Sequence, residues 1–96
     1  MSGLTVVARI VAKKDSVEAV HGALLEILEP TRKEEGCIAY NLFRDTDNPA
    51  AFVMLEKWES AGHLDRHMAT PHFAALGAAI DGKVEGLTIS KLTQVD

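Results

Sequence analysis

Residues 52–73 read FVMLEKWESAGHLDRHMATPHF, and the reading of this stretch decides the fold. Phe52, Met54, Glu56 and Trp58 alternate with Val53, Leu55, Lys57 and Glu59, which makes Ala51 to Glu59 a strand with two unlike faces. Ser60 is a natural N-cap and opens a short helix over 61–69. Thr70 caps a second helix, with Pro71 at the first helical position, where its missing N–H costs nothing. The same stretch holds the lone Trp and three of the four His residues. Groups able to do chemistry are therefore concentrated where the chain changes from sheet to helix.

Leu4 to Ala12, LTVVARIVA, is short and rich in β-branched residues, and it reads as a buried strand. Asp15 with Glu18 forms a pattern like a capping box and starts a helix. Val17, Val20, Leu24, Ile27 and Leu28 lay one apolar stripe along it. Pro30 lacks an N–H, so the helix is expected to kink or break there, run on through Lys33–Glu35 and stop at Gly36. Cys37 to Thr46 reads as a second strand, and Asp45 to Pro49 as a loop joining it to the 51–59 strand in a hairpin. After Thr70, Phe73, Leu76 and Ile80 share one helix face, which is expected to end near Asp81–Gly82, and Gly86 opens the last strand.

The order β-α-β-β-α-α-β predicts an α+β, ferredoxin-like sandwich over residues 1–96 as one domain, with helices on one face of a four-stranded antiparallel sheet. The first and last strands alternate poorly between apolar and polar residues. A second copy packed against the other sheet face explains that, so a homodimer is expected.

The 96 residues are 47% hydrophobic and 25% charged, with net charge −4. That balance argues against a nucleic-acid surface, which needs clustered Lys and Arg. One Cys, Cys37, allows no intrachain disulfide, and its default reading is a buried inert thiol in a reduced compartment. With no leader-like start and no apolar run of membrane-spanning length, the chain reads as cytoplasmic and off the membrane. It has no Gly-rich cradle for a nucleotide cofactor.

GLTVVARI at the start, RKEEGCIAYNLFRD in the middle and the run E-x-W-E-S…H-L-x-x-H-x-x-T-P-H-F together resemble the antibiotic biosynthesis monooxygenase family, and within it the small bacterial quinol monooxygenases. The resemblance spans Leu4 to about Leu92. It implies a dimeric α/β barrel with a cavity between sheet and helices in each subunit. It also implies oxidation of a small quinol or phenol by dioxygen without flavin, metal or haem. Such a protein has to bind a flat aromatic, favour its anion and hold oxygen beside it.

Met54 stands where anthrone-oxidising relatives carry an Asn four residues before the Trp. Residues 73–80 carry no His, unlike the haem-degrading branch. The His67-to-His72 stretch is shared with a branch that isomerises a phosphorylated dione. An isomerase moving a proton on a small dicarbonyl is therefore the second reading, and a dimer that binds a small molecule without catalysis is the third.

On this resemblance His67 is the first candidate for taking a phenolic proton, with Glu56 assisting; the plain alternative is a His bonded to a backbone carbonyl. Trp58 and Phe73 are candidates for stacking on the ring, or else are core. Asn41 alternates with Cys37, Ala39 and Phe43, so it is expected on the buried face, as a donor to substrate or a partner of Glu56. Tyr40 is then expected on the opposite face. His72 reads either as a cavity-mouth residue or as bonded to a loop, and His63 and His72 are both candidates for contacting the substrate. His63 and His67 have the four-residue spacing by which helical His residues share a metal, with Glu59 or His72 as a third ligand. The pattern lacks H-E-x-x-H and any Cys partner, so no metal is assigned.

Overall fold

The computed structural model describes residues 3–96. Its strands are β1 (Leu4–Ala12), β2 (Cys37–Asp45), β3 (Asn48–Trp58) and β4 (Val84–Leu92). They form one sheet in the order β2-β3-β1-β4, and every neighbouring pair is antiparallel. The helices are α1 (Val17–Glu26), α2 (Leu28–Arg32), α3 (Ala61–Met68) and α4 (Pro71–Ile80). This is the expected ferredoxin-like α+β sandwich. Val6, Ala8, Ile10 and Ala12 of β1 and Phe52, Met54 and Trp58 of β3 are buried on the face that meets Val20, Leu24 and Leu64 of the helices. No helix among the described residues is long and apolar enough to cross a membrane.

Several local expectations are corrected. Asp15 and Glu18 make no capping box; Ser16 takes the N-cap position of α1 without a side-chain cap bond, and its hydroxyl donates to Asp15. The break falls at Ile27, three residues before Pro30. In a continuous helix the N–H of residue 30 would bond the carbonyl of Glu26, and proline has none to give, so α1 ends at Glu26. Bonding resumes from Thr31 to Ile27. The chain does not stay helical through Lys33–Glu35. Glu34 bonds back to Thr31 and Cys37 to Glu34, which winds a tight turn that closes on Gly36 at φ +85°. That turn aims Glu34 inward.

β3 starts at Asn48, not Ala51, and the hairpin turn is tied by Asp47 N–H to Asp45 and Ala50 N–H to Asn48. The caps of α3 and α4 form as expected: Ser60 accepts from His63 N–H and Thr70 from Phe73 N–H. β4 begins two residues before Gly86, pairing Val84 with Ala12 across a bulge.

Another bulge reassigns a strand face. Cys37 opposes Trp58, but Ala39 already opposes Lys57 and Tyr40 opposes Glu56. One extra residue inverts the parity of everything beyond it. Tyr40 therefore points into the core and is 3% exposed, whereas Asn41 faces out and is exposed.

Candidate active site

The hydrophobic face of β3 delivers Glu56 into the interior. Burial pushes its carboxyl up to about 7, and the negative charge of Glu34 adds to the rise. Trp58, two residues on and fully buried, donates its indole N–H to Glu56 Oε1 over 2.9 Å and opposes that rise. Tyr40 lies directly across the ladder from Glu56. Burial and the nearby carboxylates push its phenol far above the usual range, so it stays a donor at all physiological pH. The Thr31 hydroxyl nearby pulls weakly the other way, although Thr31 Oγ1 is buried without a hydrogen bond of regular geometry.

A cavity of about 220 Å³ opens between the sheet and α4. Ala8, Ile10 and Met54 form its floor, and Phe73, Leu76 and Ile80 its roof. Gly77 leaves space on α4, where an added Cβ would meet nothing within 4 Å. Leu87 and Ile89 close one side and remain 54% and 51% exposed, because no helix covers β4. Glu56 and Tyr40 are the ionisable groups on the lining. The result is an apolar slot with one carboxyl and one phenol at its polar end.

The other expected residues fall in different places. Phe73 lines the cavity. Trp58 does not line it and serves instead as the hydrogen-bond donor to Glu56. Asn41 lies outside the core and accepts from Arg32, since the bulge in β2 turned it away. His63 sits at the start of α3, with Nδ1 2.8 Å from Ser60 Oγ. Its ring fills the space over Gly36, where a Cβ would collide with it.

His67 is 2% exposed and stands behind the cavity wall, edge-on to Tyr40 and Phe73 at ring distances of 5.4 and 5.1 Å and 4.9 Å from Trp58. It donates from Nδ1 to Glu34 Oε2 over 2.8 Å. Burial lowers its pKa, partly offset by Glu34, and so favours the neutral ring. His72 reaches the same oxygen from α4, with Nε2 2.6 Å away.

Glu34, His67 and His72 are the one group among the described residues with enough converging donors to hold a metal ion. The spacing of His63 and His67 does not produce that site, because the two rings take different partners. Sequence reading missed both Glu34 and Tyr40. Glu34 lay in a stretch read as helix running on past Pro30, and Tyr40 was assigned to the wrong face; the K-E-E-G-C segment carried the signal for Glu34. Burial and the nearby carboxylates raise the pKa of the Cys37 thiol, in keeping with an unreactive group.

Residues 3–79 match the family model described as antibiotic biosynthesis monooxygenase. The chain is 34% identical over 96 residues to the Escherichia coli (strain K12) protein called "Probable quinol monooxygenase YgiN", covering 90% of this chain and 92% of that one. Among solved structures, PA3566 from Pseudomonas aeruginosa superposes with a TM-score of 0.95 at 29% identity, covering 100% of this chain and 97% of that one. Rv0793 from Mycobacterium tuberculosis gives 0.92 at 28% identity, covering 99% and 97%. With most of its length matched by the family model and a relative matched nearly end to end, the chain belongs to the antibiotic biosynthesis monooxygenase family.

Proposed function

We propose that the chain is a cofactor-independent monooxygenase that oxidises a small quinol or phenol with dioxygen. The observation that carries this reading is the apolar cavity whose polar end is Glu56, a carboxyl titrating near neutral pH, opposite Tyr40, whose phenol burial holds in its protonated, donating form. At about 220 Å³ the cavity is smaller than the roughly 300–1,000 Å³ of drug-sized sites, which suits a one- or two-ring aromatic.

The ring lies between Phe73, Leu76 and Ile80 above and Ala8, Ile10 and Met54 below. Glu56, ionised, takes the phenolic proton, and Tyr40 donates to the oxygen that becomes anionic. Where the ring carries a second hydroxyl, the resulting anion is electron-rich enough to reduce dioxygen itself. Oxygen adds at a ring C–H carbon as a peroxide, and O–O cleavage leaves that carbon as C=O. Four electrons come from the substrate; one oxygen atom stays in the quinone product and the other leaves as water. Trp58 steadies Glu56 throughout. The proton acceptor is therefore Glu56 rather than His67, which is separated from the cavity by Tyr40 and Phe73.

The protein acts as a homodimer in the cytoplasm. Phe43, Leu55 and Leu92 lie exposed on the sheet face opposite the helices, and that face supplies the contact.

The test is dioxygen uptake by metal-stripped protein with a panel of reduced naphthoquinols, corrected for autoxidation and paired with ¹⁸O₂ labelling. The expected result is protein-dependent uptake with one labelled atom in the quinone. Absence of uptake across the panel would reject oxygenation. Proton exchange on small dicarbonyls would then test the isomerase reading, which the same carboxyl can serve, and ligand-dependent stabilisation without turnover would identify a binding-only dimer.

A further inference from the structure

We propose that Glu34, His67 and His72 form a binding site for one divalent transition-metal ion, separate from the cavity. The three donors come from three segments: the turn after α2, the last turn of α3 and the first turn of α4. His67 Nδ1 and His72 Nε2 approach the same carboxylate oxygen at 2.8 and 2.6 Å, and all three ligand atoms lie within 4.8 Å of one another. Two imidazole nitrogens and a carboxylate oxygen suit zinc and its first-row neighbours and are a poor set for calcium or magnesium.

Metal–donor bonds of about 2.0–2.2 Å at tetrahedral angles place the donors roughly 3.4 Å apart. The pair distances to Glu34 therefore have to widen by less than an ångström, which a glutamate side chain on a turn can supply, and the two imidazole nitrogens, within 4.8 Å of each other, settle to the same spacing by rotation of the partly exposed His72 ring. Each ring shifts its proton to its other nitrogen, and the ion replaces two N–H···O bonds with three metal–ligand bonds. The ion's path in is also present. His72 lines an open groove between α1 and α4, beside Ala23, Glu26 and Ala79, so water can complete the coordination sphere from that side. No step of the proposed oxygenation passes through this site. Its consequence is mechanical, since a bound ion fastens the turn after α2 to both helices that follow β3.

The experiment is calorimetric titration of metal-stripped protein with zinc chloride, together with thermal melts and the visible spectrum of the cobalt(II) form. One ion per chain with micromolar or tighter affinity, a raised melting temperature and a four-coordinate cobalt spectrum are expected. His72→Ala removes a partly exposed ring, and is expected to weaken zinc binding by ~10-fold or more and abolish the thermal shift. His63→Ala is expected to leave zinc affinity unchanged. Absence of saturable binding would overturn the proposal, as would binding that survives His72→Ala or disappears in His63→Ala. None of these readouts needs turnover, so they stand or fall apart from the oxygenase reading.

Discussion

Trp58 and Glu56 lie on one face of β3, and the indole N–H of the first is spent on Oε1 of the second at 2.9 Å. The bond favours the carboxylate, while burial disfavours it more strongly. Glu56 is thereby poised near neutral pH. Glu56→Gln keeps the shape and a hydrogen-bond acceptor but removes the base, so turnover is expected to fall by ~10²-fold or more with the fold intact. Trp58→Phe removes the stabilising donor together with part of a fully buried ring, so its effect is read from the pH midpoint and not from the rate alone. The pH–rate profile, rising through about 7 in the native protein, is expected to move to higher pH in that variant. An unmoved midpoint would separate Glu56 from the proton transfer.

The same carboxyl makes stability depend on pH. Its pKa is raised from 4.5 unfolded to about 7 folded, so the native state holds its proton more tightly. The stabilisation is fully present below about 4.5 and is lost as pH rises through about 7; the shift corresponds to on the order of 3 kcal/mol. His67, with its pKa lowered by burial, works in the opposite direction. Comparing urea midpoints of the native protein and Glu56→Gln across pH 4–8 isolates the carboxyl. The native protein is expected to lose stability relative to the variant as pH rises, and parallel curves would show that Glu56 does not titrate in this window.

The sheet, its two β-α-β halves and both caps near Ser60 and Thr70 were legible because they rest on local chemistry: alternation, an N-cap hydroxyl, a proline at a first turn. The site was legible on β3 and at Phe73 of α4. Glu56 and Trp58 follow from simple alternation, but Tyr40 and Asn41 exchanged faces because the bulge between Cys37 and Ala39 is set by pairing with β3. Glu34 stayed hidden for a related reason. Whether residues 33–35 continue a helix or tighten into a turn depends on Pro30 upstream and on where Gly36 must sit against α3, and that contact joins residues far apart in the chain.

That contact can be tested directly. Gly36 has φ +85°, and a Cβ there would run into the His63 ring. Gly36→Ala meets a backbone penalty and a steric one together, so a loss of about 2 kcal/mol or more is expected in chemical denaturation. Adding His63→Ala is expected to relieve the steric part and leave the backbone part. If the double variant were no more stable than Gly36→Ala alone, the ring would not be the obstacle.

The uncovered sheet face makes a prediction about assembly. Phe43, Leu55 and Leu92 are 52%, 40% and 44% exposed there, flanked by half-buried Val7, Val11 and Val53. Apolar side chains gathered on one sheet face mark an association surface. Light scattering at micromolar concentration is expected to give twice the 10.4 kDa chain mass, and Leu55→Lys is expected to shift it toward monomer. A monomeric native protein would remove the dimer from the reading.

The cavity itself is tested at Gly77. This residue lies within α4, lines the cavity and has open space where a Cβ would project. Replacing a helical glycine by leucine improves intrinsic helix propensity by roughly 0.8 kcal/mol, and the added side chain fills apolar space that the native protein leaves open. Gly77→Leu is therefore expected to melt at the native temperature or above, and also to lose turnover through a raised KM or complete exclusion of the ring. A retained or raised melting temperature together with lost turnover separates a filled site from a disrupted fold. A variant that is stable and fully active would show that the substrate binds elsewhere. One that is unstable would show that the space beside Gly77 closes in solution.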